Sequence, residues 1–337
     1  MKKIQSIIYL SVLILFSASI SAQEKPSYKI INRIHLDGDG GWDYLTMDDA
    51  TGLLYVSHGM MVQVVDVKTS KVVATIEDTK GVHGITIATE FGKGYISCGR
   101  DSTVVVFDTK TFKTLSRLKV NGSNPDAILY DPFSKNVFAF NGRSKNITVI
   151  DAKSDKIIGD IAVEGKPEFA VTNEKGKIYV NIEDKSKLCE INSKTLKIEN
   201  TWSVAPVDEP SGLAIDNATH RLFTVSDGHM AVIDAVTGKV VASLPIGDRV
   251  DGVAFDTGLK RAYSANGDGT MTVVGEVNGT CKVLENVKTQ KGARTIAVDS
   301  KTHHIYLPTA DMGEAEKGKR PPVKPNSFII LEIAPAQ

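Results

Sequence analysis

The sequence has little cysteine, little tryptophan and no net charge. Cys98, Cys189 and Cys281 are its three cysteines in 337 residues. So small and odd a number excludes a disulfide framework, and no intramolecular bridge is expected. The 40 Lys and Arg balance 40 Asp and Glu. That excludes the basic excess of a general nucleic-acid binder. Arg100, Arg143 and the basic residues of 309–326 offer a patch, but the charge balance counts against that partner. Walker, Rossmann and Gly-x-Ser-x-Gly motifs are absent. A charged fraction of 24% with 42% hydrophobic residues excludes a disordered chain. Length alone would suggest two domains.

Long apolar runs are missing too, except at the start. Met1-Lys2-Lys3 precedes the run Ile7 to Phe16, and Ser17 to Ala22 follows with small residues. This reads as a signal peptide over residues 1–22, cut after Ala22. The run is short of the roughly 20 residues that span a bilayer. No Cys follows it to accept a lipid. Cleavage would remove Lys2 and Lys3 and no acid, leaving 38 basic against 40 acidic residues, or −2. The expectation is a periplasmic or secreted, monomeric protein with no membrane span.

What is present is a repeat. A module recurs: apolar strand, polar turn, strand with an aromatic, strand ending in Asp, polar turn, fourth strand. The aromatics are Tyr55, Tyr95, Phe138, Tyr179, Phe223, Tyr263 and Tyr306, spaced 40 to 44 residues apart. Propeller blades of four strands repeat at about 40–45 residues. The local period is two, as in Val62-Gln63-Val64 and Ala231-Val232-Ile233, which argues for strands. The acids closing the third strands, Asp66, Asp108, Asp151 and Asp234, with Asn192, are turn-bonding residues. Gly275 replaces the acid in the sixth unit.

Seven units fill residues 23–337 as one domain. The seventh unit lacks a fourth strand, and Tyr28 to Leu36 reads like one. The fold expected is an all-β, seven-bladed β-propeller, closed by the N-terminal strand pairing into the last blade. Such closure hides sheet edges.

Particular stretches resemble a known family. Ala231 to Gly247 (AVIDAVTGKVVASLPIG) is similar to the centre of the YVTN-type β-propeller repeat. Tyr55-Val56-Ser57-His58, Tyr179-Val180-Asn181 and Pro210 to Asp216 resemble other parts of it. The resemblance covers residues 27–333 and points to the YncE-like secreted propellers. It implies architecture and no reaction.

The register also locates a mouth. Five residues before each first strand ends stand Asp43, His83, Asp126, Glu168, Ser211, Asp251 and Arg294, all polar. Two residues further on stand Leu45, Ile85, Ile128, Ala170, Leu213, Val253 and Ile296, all apolar. A polar ring over an apolar ring describes a solvated channel mouth above a packed wall. Arg294 falls between Asp251 and Asp43, and His83 between Asp43 and Asp126. Asp126 and Glu168 have no obvious cation. Trp42, beside Asp43, offers an aromatic face to a cation. Trp42, Asp43, His83, Asp126, Glu168, Asp251 and Arg294 are thus the candidate ligand residues. Converging carboxylates with an imidazole invite a divalent cation. His58, His83 and Cys98 form a second candidate, for a soft or borderline metal. Residues 309–326 lengthen one connection on the same face and suggest a lid.

The function expected is a non-enzymatic exported module binding a small molecule or a protein at this mouth. The alternative is a metal-dependent lyase or lactone hydrolase with its site at the same place.

Overall fold

The computed structural model describes residues 28–314 and 321–336. Residues 1–27, on which the expected signal peptide falls, residues 315–320 within 309–326, and residue 337 lie outside the described residues.

Seven antiparallel sheets of four strands follow one another in chain order. Blade 1 runs from Trp42–Asp48 to Lys71–Ile76, blade 2 from Val82–Ala88 to Thr114–Lys119, and blade 3 from Pro125–Asp131 to Lys156–Ala162. Blades 4, 5 and 6 begin at Pro167–Thr172, Leu213–Asp216 and Val250–Asp256. Blade 7 takes Ala297–Val298, Ile305–Thr309 and Ile329–Pro335, and its outer strand is Tyr28–His35. Tyr28 pairs with Pro335 and His35 with Ile329, so the chain's two ends share one sheet. No helix among the described residues is long and apolar enough to cross a membrane.

The turns form as the acids dictate. Asp66 accepts from the amides of Lys68 and Thr69, and Asp234 from those of Val236 and Thr237. These side chains spend their bonding on hairpins.

The core lies between blades. Each of seven buried clusters joins one blade to the next, as where Tyr55, Val62 and Val64 meet Ile96, Val105 and Phe107. All seven repeat aromatics are buried. Each such ring contributes about 1.5–3 kcal/mol through burial. Cys98, Cys189 and Cys281 are free thiols in blades 2, 4 and 6.

Candidate functional site

The mouth is built by a repeated irregularity. In blades 1, 2, 3, 4 and 6 the pairing of first and second strands slips at the ring residue itself. A bulge re-aims a side chain and leaves backbone groups to be bonded elsewhere. Second-strand hydroxyls take up that task. The Asp43 amide donates to Ser57 Oγ at 2.9 Å, and the Ser57 hydroxyl donates to the Tyr44 carbonyl at 2.9 Å. In blade 2 the Gly84 amide donates to Ser97 Oγ, whose hydroxyl reaches the Asp126 carbonyl of blade 3.

The ring residues meet as ion pairs. His83 Nδ1–H donates to Asp43 Oδ2 at 2.6 Å and faces Asp126 Oδ1 at 3.5 Å. Arg294 Nε donates to Asp251 Oδ2 at 2.8 Å, and its Nη2 lies 3.6 Å from Asp43 Oδ1. Lys166 stands 3.0 Å from Glu168 and also pairs with Glu183. Lys166 is the cation missing from the sequence reading of Asp126 and Glu168. It lies outside the repeat register, in the turn before the first strand of blade 4.

A further difference concerns burial. Asp126 and Glu168 are 8% and 7% exposed, so they are not solvated strand starts. The reason is Tyr44, which follows Asp43 and crosses the axis to meet Phe169 edge to face at 5.1 Å. At the same register position the other blades carry Gly84, Ala127, Gly212, Gly252 and Thr295. A Cβ at Gly212 would come within 2.9 Å of the Val253 amide, so the neighbouring strand excludes a side chain there. Tyr44 and Phe169 thus floor the mouth.

Burial sets the electrostatics. Desolvation is the largest influence raising Tyr44, followed by Asp126, Glu168, Asp43 and Asp251, which places its phenol among all four carboxylates. Desolvation also pushes Asp126, Glu168 and Asp251 above the ordinary carboxylate range, against the pull of His83, Lys166 and Arg294 respectively. For His83, burial lowers the pKa, but the Asp43 hydrogen bond and the fields of Asp126, Asp43 and Glu168 outweigh it and raise it to about 9. The five carboxylates Asp43, Asp126, Glu168, Glu183 and Asp251 share three cations.

A cavity of about 760 Å³ opens beside the ring, between blades 1 and 2. Asp43, His83, Arg294 and Trp42 line it, while Asp126, Glu168 and Asp251 do not. Trp42 is less available than its place in the sequence suggested. Its ring stacks on Phe328 at 5.4 Å and is 8% exposed. Its indole N–H has no partner among the described residues. The 309–326 loop begins as a narrow arm, with Gly313 N–H donating to the Pro322 carbonyl and Lys324 N–H to that of Asp311. None of its described residues lines this cavity.

His58 and Cys98 do not gather with His83. His58 is fully buried, donates from Nδ1 to Gln63 Oε1 at 2.8 Å and packs 4.2 Å from Phe328. Burial pushes the Cys98 thiol up to about 12, so it is no thiolate at neutral pH. Among the described residues, Asp43, His83 and Asp126 are the group whose ligand atoms all lie within 4.8 Å of one another.

Comparisons with known proteins match the chain to a family model, to curated relatives and to a solved structure. A family model described as "Domain of unknown function (DUF5074)" matches residues 50–219. "Uncharacterized protein YncE" of Salmonella typhi is 23% identical over 183 residues, covering 52% of this chain and 52% of that one. Its counterpart in Salmonella typhimurium matches to the same extent. The chain thus matches about half the length of these curated relatives. A chain in the solved structure "Crystal Structure of Mitotic Checkpoint Complex" superimposes with a TM-score of 0.74, covering 97% of this chain and 99% of its own. At 11% identity that likeness shows the fold alone.

Proposed function

This chain belongs to the family described as Domain of unknown function (DUF5074), and from that premise we propose a small-molecule-binding module, working in the periplasm or outside the cell through the mouth of a YncE-like propeller. The carrying observation is the cavity of about 760 Å³ in whose wall stand Asp43, His83 and Arg294, three of the seven ring positions. Concave sites with a few fixed polar groups among apolar walls are where proteins bind small ligands. Here the polar groups are held before any ligand arrives. Asp43 is fixed by His83 and Arg294, and Arg294 is braced by Asp251 and the Trp42 carbonyl. A ligand group entering there exchanges with pairs already aligned, which lowers the ordering cost of binding.

A small-molecule library screened by thermal shift tests this. Hits should raise the melting temperature of the wild type, and Asp43→Asn combined with His83→Gln should remove the shift. Hits that shift the folded double variant equally would overturn the reading.

The Asp43, His83, Asp126 group supports a second reading, a metal-dependent lyase or lactone hydrolase at the same mouth. A divalent cation would have to displace the proton that His83 Nδ1 shares with Asp43. Elemental analysis of the purified protein used in the screen separates the two: stoichiometric metal favours the second reading.

A further inference from the structure

The cavity between blades 1 and 2 carries charges that the ring does not use. Arg294 and His83 are engaged by Asp251, Asp43 and Asp126. Asp78 is engaged by Arg117 and Lys80. Three lining groups remain. The Arg100 guanidinium touches the Met60 thioether at 3.8 Å and meets no carboxylate among the described residues. Glu77 and Asp39 make no side-chain hydrogen bond or ion pair among the described residues and are exposed at the rim, Asp39 acting on the buried His58 only through its field.

These groups are held in place by backbone. Arg100 N–H donates to the Lys80 carbonyl and Gly99 N–H to that of Gly81, which ties the Arg100 turn to the 77–81 connection. A Cβ at Gly81 (φ +65) would stand 2.9 Å from Arg100 Cβ, so this close approach requires glycine. On the other side Gly59 N–H donates to the Gly41 carbonyl, joining the Asp39 loop to the Met60 turn. Trp42, Val82, Met60 and Met61 line the same cavity as these charges.

We propose that the cavity takes a zwitterionic ligand with an apolar body, of the class of short peptides and apolar amino acids. Its carboxylate is received by Arg100, its ammonium by Glu77 and Asp39, and its side chains by the methionines and Val82. Arginine suits carboxylate recognition because its planar fork donates two parallel hydrogen bonds. Unbranched thioethers adapt to varied side chains, which suits a class rather than one sequence. The volume falls within the range of small-ligand sites and accommodates a dipeptide. This rests on the reading of the mouth as a binding site and adds the chemical class.

The test uses Leu-Leu, Phe-Leu and Met-Val as probes, each with free termini, N-acetylated, or C-amidated. Calorimetry on the full chain should show free-terminus forms bound about tenfold or more tightly than either capped form, as one charge-assisted hydrogen bond implies. Arg100→Gln should erase the preference over the amide alone. Glu77→Gln with Asp39→Asn should erase the preference over the acetylated form alone. All three residues are exposed, so these variants should fold. Binding of capped and free forms alike, or no binding of any free dipeptide, would overturn the class. If library hits still depend on Asp43 and His83 in that case, the mouth reading stands and this one falls. If nothing binds the mouth at all, both fall.

Discussion

His83 spends its Nδ1 proton on Asp43 while facing Asp126, and its charge is what keeps the two carboxylates together. An imidazole in the unfolded chain titrates near 6.5, and His83 in the fold at about 9. A folded pKa above the unfolded one means that the charged imidazole favours the fold. That contribution is complete below about 6.5 and is lost as pH rises to about 9. Glu168, whose carboxyl is raised to about 8, acts in the same sense across this range, whereas Asp126 and Asp251, raised to about 6, have lost most of their contribution by pH 6. The melting temperature should therefore fall between pH 6 and pH 9.5. In His83→Gln the fall should be smaller but present, since Glu168 remains. Scanning calorimetry at the two pH values decides it; an undiminished fall in the variant would count against His83.

The outer strand Tyr28–His35 is the element on which closure depends. It supplies Tyr28 and Ile34 to the core and pairs along its length with Ile329–Pro335. Tyr28 also exchanges a hydrogen bond with Tyr263 of blade 6 at 2.9 Å. Deleting residues 23–36 should cost several kcal/mol, since it unpairs a strand and uncovers Ile330 and Ile333. A melting temperature equal to that of the undeleted mature chain would contradict this. This strand was legible in advance because its apolar alternation matches the other fourth strands. The pairing of Arg294 with Asp251 and Asp43 was legible for a related reason: in a ring, register order becomes spatial order. Lys166 was not, since it reaches the ring from outside the register. Tyr44 and Phe169 are passed over in the sequence reading, although they stand as large residues among small ones at one register position. Their meeting across the axis was hidden because it depends on bulges, which leave no mark in an alternating pattern.

Across the whole molecule, each blade packs mainly on its two neighbours, and only blade 7 is assembled from distant parts of the chain. This divides the molecule's history in time. Blades 1 to 6 are complete as soon as their own residues have been made, but Tyr28–His35 must wait for Ile329–Pro335. At about 5–20 residues per second, that wait lasts roughly 15–60 s of synthesis. For that interval the strand is a bare template for any other extended chain. Its exposed positions carry Lys29, Arg33 and His35 beside Ile31. Those charges act as gatekeepers, discouraging a stranger from pairing before the proper partner arrives.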